Sequence, residues 1–453
     1  MKIKTILFSI LLAFCGAQQP LTAQERKPLT LEEAINLAVN NSTAAAMAET
    51  RVETSALAVD NVKNNRYPEF TISGQYQRLT SPTVNFKLPV ANNGGETEEG
   101  ATATSSPEVN QIMLGQASLG MPLYSGFRLK NSIAATEDLH KAEQYNAAST
   151  KEQLALQAVM LYVNLYKAEQ SVTLIQENLR SANQRVIDFT AMEKNGLLAR
   201  NDLLKAQLQA SNIEISLEDA KRQAATINYQ LAILLKLPEN TQILPDDAYF
   251  MENKALLPTL TEREAVAQRN DLEALRWQQK AAEANIKVAQ ADYYPSVSIM
   301  AGYVALDIQN VVQVYNAVNF GVGLKYDISS IFKNRKKVAA EKSRAEEARQ
   351  AVELMSDRVK VQVKDALEHY NLAIKQNSVY TQAVTQAEEN YRIVKDKYDN
   401  GLSDTNDLLE ADVQKLQAQL NEAFSKADIT QRYYELLNAS GKLANTINLT
   451  QTN

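Results

Sequence analysis

The spacing of apolar residues divides this chain into long helical stretches and shorter alternating ones. In the second half of the chain, one series of residues recurs every three or four positions, and nearly all of its members are apolar. They are Val363, Ala366, Tyr370, Ala373, Asn377, Tyr380, Val384, Ala387, Tyr391, Val394 and Tyr398. A matching series runs from Ala158 to Glu193 in the first half. Such spacing over several heptads is typical of coiled coils, so two long packed helices are predicted.

The helical stretches are long because few glycine or proline residues interrupt them. Residues from Phe127 to Lys194 are predicted to form one helix, about 100 Å long at roughly 1.5 Å per residue. Shorter return helices are predicted from Leu203 to Leu237 and from Leu408 to Ser440. Two helices of similar length, Leu29 to Asn65 and Thr261 to Tyr293, are expected to stack on the ends of the return helices.

One turn motif occurs twice, each time at the end of a long helix. Residues 195–197 and 400–402 both read Asn-Gly-Leu, and the sequence Asn-Asp-Leu-Leu follows each of them, starting at Asn201 and Asn406. Glycine tolerates the left-handed backbone that ends many helices, and the Asn-Asp pairs are predicted to cap the helices that follow. Two copies of one turn imply two copies of one unit. The sequence therefore predicts two helical hairpins, each with an exposed leucine at its tip.

Four stretches alternate apolar and polar residues with a period of two, which predicts β-strands. Two lie between Glu69 and Leu123, on either side of a polar loop predicted at residues 82–107, and two lie between Val297 and Ile328. Each strand has about the 9–11 residues that cross a bilayer when tilted. Four strands cannot close a barrel, and an open sheet edge cannot stand in lipid, so several chains are expected to pool their strands. The alternative is a half-buried sheet of a soluble domain.

The N-terminus has the features of a secretory signal peptide, predicted to span residues 1–23. Lys2 and Lys4 precede an apolar region from Ile6 to Phe14. Cys15, the only cysteine, is expected to be lost with the signal rather than lipidated, because the bulky Phe14 precedes it. The mature chain then has neither a disulfide nor a thiol site. No later run of about 18 uncharged apolar residues predicts a membrane helix, so any crossing of a membrane is expected to use strands.

Composition excludes several classes of function. The chain has 453 residues, of which 45% are hydrophobic and 22% charged, so a sizeable core is expected. Its net charge of −6 makes nucleic acid a poor partner. His140 and His369 lie far apart in helices, and no metal-ligand spacing, phosphate loop or nucleophile elbow is found. We therefore expect no catalytic residue, no cofactor and no metal site.

Because most of these elements are helices and four are strands, the expected fold is mainly α with a membrane β portion. The elements form two structural repeats. The first repeat is predicted at residues 24–258 and the second at residues 259–441. The proline-containing segment that ends at Pro258 links the repeats, and residues 442–453 form a C-terminal tail.

The order of these elements resembles the TolC family of outer-membrane efflux proteins over essentially the full mature chain. The resemblance implies a long coiled-coil helical tunnel in the periplasm, continuous with an outer-membrane β-barrel that a homotrimer shares, four strands from each chain. It implies three further partners: a periplasmic adaptor, an inner-membrane pump and outer-membrane lipid. The function it implies is a passive exit duct of an efflux or secretion system. The alternative is a periplasmic or surface coiled-coil scaffold without transport activity.

The resemblance also implies roles for eight residues. The adaptor-contact turns of the family are matched by Gly196, Leu197, Gly401 and Leu402. The constriction of the channel is matched by Asp407, Glu410, Tyr398 and Asp202. Rings of acidic side chains favour cations, although acids in the first turn of a helix also interact favourably with its dipole. Ser403 stands where well-studied members have an arginine that braces the closed state.

Overall fold

The computed structural model describes residues 26–80, 109–251 and 262–446. The helices are α1 (Leu31–Asn41), α2 (Thr43–Asn64), α3 (Arg128–Lys194), α4 (Arg200–Leu235), α5 (Asp247–Met251), α6 (Glu262–Gln268), α7 (Asn270–Gln290), α8 (Ser330–Asp399), α9 (Thr405–Ala439) and α10 (Leu443–Thr446). The strands are β1 (Arg26–Leu29), β2 (Glu69–Arg78), β3 (Gln111–Ser125), β4 (Gln242–Pro245), β5 (Ser296–Ile308) and β6 (Val312–Lys325). The predicted signal peptide, Cys15 and the predicted polar loop lie outside the described residues, as do Pro258 in the linker and residues 447–453 of the tail.

Contacts divide the chain into two compact units. The first comprises Met1–Arg51, Tyr145–Glu273 and Leu354–Asn453, and the second comprises Val52–Gln144 and Ala274–Glu353. Among the residues that the structure describes, no helix has both the length and the apolarity needed to cross a membrane. The same residues contain no group of three or more His, Cys, Asp or Glu side chains that could hold a metal ion.

The two long helices are each continuous, as the seam spacing predicts. α3 has 67 residues and α8 has 70. Every seam position from Val363 to Tyr398 is buried or half-buried, and most residues between these positions are exposed. α3 starts at Arg128 rather than Phe127, because Phe127 has a φ of 63° and cannot join the helix.

Two helices predicted as single stretches are each divided in two. In the stretch from Leu29 to Asn65, Leu29 is the last residue of β1, and the helix starts at Leu31. The helix is then interrupted at Ser42, whose ψ of 147° is extended. The Ser42 hydroxyl accepts a hydrogen bond from the backbone N–H of Ala45 at 3.2 Å, which starts α2 afresh. The stretch from Thr261 to Tyr293 is interrupted at Arg269, between α6 and α7. The helical spacing of apolar residues continues across both breaks, so it did not reveal them.

The four predicted strands form one antiparallel sheet in the order β2-β3-β5-β6. The register places one apolar row across all four strands, Ile72, Ala117, Tyr303 and Val318. The adjacent row, on the opposite face, is Thr71, Ser118, Gly302 and Asn319. Alternation along each strand therefore produces one apolar face and one face of mostly polar or small residues. The last strand is displaced from its predicted position, because β6 begins at Val312 and ends at Lys325, before Tyr326 and Ile328.

A second, small sheet in the first unit was not predicted. β1 pairs in parallel with β4, from Arg26 opposite Gln242 to Leu29 opposite Pro245. The buried Tyr162 hydroxyl joins the two strands, since it donates to the Leu29 carbonyl at 2.6 Å and accepts from the Asp246 backbone N–H at 2.8 Å. Burial raises the pKa of Tyr162 to about 12. Tyr162 lies in the main hydrophobic core of this unit, and it anchors the N-terminal segment to α3.

Glu152 of α3 is a buried carboxyl group in the same unit. It accepts a hydrogen bond from the Asn270 side-chain amide at 2.9 Å, and the ionised side chains of Arg269 and Asp271 lie close enough to act on it. Burial is the largest effect, and it raises the pKa of Glu152 from its ordinary value of 4.5 to about 7. The charged form of Glu152 is therefore unfavourable in the folded protein.

We predict that Glu152→Gln makes the protein more stable at pH 8 but not at pH 4.5. The folded state binds the proton more tightly than the unfolded state, so wild-type stability falls as the pH rises from about 4.5 to about 7. The fall attributable to Glu152 is about 3 kcal/mol, and glutamine, which stays neutral, avoids it. Denaturant unfolding in detergent at a series of pH values measures the difference. Glu218→Gln, at an exposed position, is the control. If the difference in unfolding free energy between Glu152→Gln and wild type does not change with pH, the raised pKa of Glu152 is contradicted.

Candidate functional site at the helical tip

The two tip turns have the backbone geometry that their glycines predict. Gly196 has a φ of 74° and Gly401 a φ of 72°, both in the left-handed region. In each turn the glycine N–H and the next N–H bond back to carbonyls of the preceding helix. These bonds run from Gly196 to Glu193 and from Leu197 to Met192 in the first turn, each 2.9 Å long. A Cβ added at either glycine would meet nothing within 4 Å, so backbone strain and not space requires glycine here.

The leucine after each glycine is exposed, as predicted. Leu197 is 73% exposed and Leu402 is 77% exposed, although both are large and apolar. Leu198, by contrast, packs against the cluster below the turn. Two apolar side chains thus stand open to solvent at equivalent positions of the two hairpins.

The predicted caps of the return helices were wrong. α4 begins at Arg200, one turn before the predicted start, so Asn201 and Asp202 lie within its first turn and Ala199 is its N-cap. Asp202 instead pairs with Lys205 at 3.2 Å. In the second hairpin, α9 begins at Thr405, and the capping side chain belongs to Asp404. Each return helix begins one residue before its Asn-Asp pair, at Arg200 and at Thr405, so neither pair occupies the cap position. The position of the Asn-Asp pair alone did not reveal this.

Asp407 and Glu410 lie on α9 and are both exposed. The Asp407 carboxylate accepts a hydrogen bond from the Ser403 hydroxyl at 2.7 Å, while its backbone N–H donates to Asp404 at 3.0 Å. Glu410 accepts from the Gln414 amide at 3.0 Å. The Asp407 side chain is thus not the helix cap, and Ser403 holds it by a short hydrogen bond rather than by an ion pair.

A hydrophobic cluster lies directly below the two turns. The rings of Phe189 and Tyr398 stack with centroids 5.7 Å apart. The buried members of the cluster are Phe189, Leu203, Ala206 and Leu408. The Tyr398 hydroxyl is buried, and within the described residues it has no hydrogen-bond partner. Tyr398 therefore contributes to the tip through its ring and joins the first repeat to the second.

A buried ion pair next to this cluster was missed in the sequence. The Arg185 guanidinium of α3 donates to the Asp412 carboxylate of α9 at 3.2 Å, and the two side chains are 9% and 5% exposed. A second guanidinium nitrogen lies 3.5 Å from the Tyr391 hydroxyl. The pair links α3 to α9 below the tip. Charged residues are common on both helices, so nothing in the sequence distinguishes these two from exposed ones.

Comparison with known proteins identifies relatives of the whole chain. The sequence pattern of the family described as outer membrane efflux protein matches residues 34–235 and 262–442. The outer membrane efflux protein BepC of Brucella suis is 22% identical over 428 residues, which cover 93% of this chain and 88% of that protein. The CmeC outer membrane channel of Campylobacter jejuni has a similar fold, with a TM-score of 0.73 and 17% identity over 91% of this chain and 86% of CmeC. The solved structure of CusC gives a TM-score of 0.75 and 18% identity over 91% and 92% of the two chains.

We predict that Asp412→Ala destabilises the tip by about 3–5 kcal/mol, because it leaves the Arg185 charge buried without a partner. Replacing both residues, as Arg185→Met with Asp412→Leu, should restore most of the stability, since neither charge then remains. Denaturant unfolding of the single and double variants measures both effects. Glu218→Ala breaks an exposed pair and should change stability by less than about 1 kcal/mol. A double variant as unstable as the single one would show that the buried charge is not the cause.

Proposed function

This chain belongs to the outer membrane efflux protein family, and on that premise we propose that three copies form the exit duct of a tripartite efflux or secretion system. It is an outer-membrane efflux channel, and in our proposal a periplasmic adaptor and an inner-membrane pump open it and drive the transport. The duct itself is passive and has no catalytic role. The proposal rests on one combination of features. Two matched tip turns lie at the ends of the long helices, and these helices start directly after strands of a sheet that has one apolar face.

The sheet supports a shared barrel. Its apolar face is open in the single chain, where Ile72 is 76% exposed and Phe320 is 89% exposed. The outer strands of the sheet are β2 and β6, and each has a partner on one side within the described residues. An unpaired edge and an apolar face are both unfavourable in water, and both are satisfied when β6 of one copy pairs with β2 of the next in a closed barrel in lipid. The polar face then lines the lumen.

The helices support a periplasmic tunnel that ends at the tip. Gly196 and Gly401 set the turns, and Leu197 and Leu402 are exposed apolar contacts of the kind that a partner protein covers. We assign these four residues to the contact with a periplasmic adaptor. The rival scaffold function leaves the apolar face of the sheet without a role.

The same proposal assigns the constriction to Asp407 and Glu410, with Tyr398 and Asp202 beside it. Three copies place rings of carboxylates around one narrow axis, which favours cations over anions. The alternative role of these acids is a favourable interaction with the helix dipole, and Asp407 lies in the first turn of α9, whose N-cap is Asp404. Ser403 holds Asp407 within one hairpin, so a closed state of this chain is braced differently from one that relies on an arginine at that position.

We predict that Leu197→Asp with Leu402→Asp reduces both export and crosslinking to the adaptor by about tenfold or more, since apolar residues at the centre of a contact are often worth about 2 kcal/mol each. The variant should still be recovered from the outer membrane as a trimer, because neither side chain packs inside the chain. Leu197→Met with Leu402→Met keeps the apolar contact and is the control.

The outcomes separate the two parts of the proposal. Recovery of wild-type protein as a soluble monomer would contradict the duct itself. Normal export and crosslinking by the Asp variant would leave the duct standing and remove the tip assignment.

We predict that Asp407→Asn with Glu410→Gln abolishes the cation preference of the resting channel. Both changes preserve side-chain size, so the loss isolates charge. Single-channel reversal potentials in a salt gradient measure the preference. Glu218→Gln with Asp219→Asn removes the same charge from exposed positions of α4 and should leave the preference unchanged. If the double variant at Asp407 and Glu410 keeps its selectivity, these acids do not form the constriction.

A further inference from the structure

The junctions between the four strands of the main sheet and the helices α2, α3, α7 and α8 all lie along one end of the sheet. The register places Ser125 beside Ser296 and Ser296 beside Lys325, while Glu69 lies beside Gly120, a few residues from the same end. An exposed aromatic side chain follows or precedes the strand at every junction. The exposed fractions are 70% for Tyr67, 57% for Phe127, 53% for Tyr294, 43% for Tyr326 and 81% for Phe332.

The two helices that leave this end of the sheet both begin with cations. α3 opens with Arg128 and Lys130, and the first eight residues of α8 contain Lys333, Arg335, Lys336 and Lys337; neither helix has an acidic residue in its first turn. Cations at the start of a helix oppose its dipole, so they do not stabilise the helix. Helices that begin elsewhere, such as α1, α4, α7 and α9, do open with acids.

One carboxylate brings the two basic helix starts together. Asp292, in the turn before β5, forms ion pairs with Arg128 of α3 and with Lys337 of α8. Four nearby cations remain, namely Lys130, Lys333, Arg335 and Lys336, which we call the basic patch. None of the four forms a salt bridge with a residue that the structure describes. Asp327 is the one acidic residue of the β6–α8 connection, and it attracts Lys333 without forming an ion pair.

The rotation of α8 leaves Lys333, Arg335 and Lys336 exposed. Asn334 and Val338 are buried, and the Asn334 amide donates to the Ala289 carbonyl at 2.7 Å, which fixes that side of α8 against α7. Phe332 and Lys336 lie on the opposite side, one turn apart, about 6 Å along the axis. The aromatic ring is nearer the sheet and the ammonium farther from it. Aromatic side chains next to lysine or arginine in this order are typical of the boundary between acyl chains and headgroups.

We propose that the basic patch binds the phosphates of anionic phospholipids in the leaflet on the helical side of the membrane. The proposal rests on the insertion of the sheet in a membrane, as set out above. The apolar face of the sheet ends at Leu324, the aromatic residues follow, and the patch comes next, at the depth of the headgroups. Four cations without a salt bridge to a described residue, at the starts of the two helices that Asp292 joins, complement lipid phosphates. Each basic residue near an anionic surface strengthens binding severalfold.

The test compares lipid retention by full-length trimers purified from mixed micelles of phosphatidylglycerol and phosphatidylcholine. Native mass spectrometry counts the lipids retained per trimer. Wild type should retain phosphatidylglycerol preferentially, and the variant Lys130→Gln, Lys333→Gln, Arg335→Gln, Lys336→Gln should lose that preference by about fivefold or more. The matched control is Lys360→Gln, Lys364→Gln, Lys395→Gln, Arg392→Gln. It removes the same charges, and each of its four side chains is already paired on α8.

Equal retention by wild type and the patch variant would overturn the proposal. An equal loss in the control would also overturn it, because net charge and not the patch would then be responsible. Both results require trimers that insert in the outer membrane, so they leave the duct in place. If the wild-type chain is not found in the membrane, the proposed function fails first and the lipid site fails with it.

Discussion

The apolar seams along α3 and α8 are the interaction on which the rest of the structure depends. Their members recur at coiled-coil spacing and are buried or half-buried along α8 from Val363 to Tyr398, so the long helices have a continuous surface to pack against. In proteins, most of the stability of a helix comes from the packing of its apolar face rather than from intrinsic helix propensity. The seam ends at the stacked rings of Phe189 and Tyr398, directly below the tip. The positions of both tip turns are therefore set by where the seams stop.

Near the tip, one pair of charged side chains is buried and two acidic side chains are exposed. Arg185 and Asp412 are buried and paired across the repeats, where a missing partner is costly and geometry is strict. Asp407 and Glu410 are exposed and hold only neutral hydrogen-bond donors, so their charges remain available to an ion or a partner. The buried pair joins α3 to α9, and the exposed acids are the ones that we assign to the constriction of the proposed duct.

The main sheet has two faces of different polarity, and in the proposed duct one of them contacts lipid and the other contacts water. Alternation places an apolar row and a polar row on opposite faces. A Cβ at Gly302 would lie 2.6 Å from Oδ1 of Asn319 and 3.2 Å from the Ala117 carbonyl oxygen, so the Asn319 side chain would have to move. At the end of the sheet the aromatic residues and the basic patch succeed the apolar face. In the proposed duct, the apolar face thus contacts the acyl chains, the aromatic residues and the basic patch lie at the headgroups, and the helices that follow enclose the aqueous tunnel.

The features that depend on local spacing could be predicted from the amino-acid sequence. The continuous long helices, the four strands, the left-handed glycines and the exposed leucines all follow from periodicity and turn chemistry. The family was first a resemblance in the order of these elements, and the match of the family's sequence pattern confirmed it. The tertiary structure alone decided the pairing of β1 with β4 through Tyr162, the breaks at Ser42 and Arg269, the cap at Asp404, and the burial of Glu152, Arg185 and Asp412. The reason is physical. A period of three or four residues involves only neighbouring positions of the chain, so it can be recognised in the sequence. The partner of a buried charge or of an isolated strand lies far away in the chain. The sequence does not show whether a given charged side chain is buried or exposed.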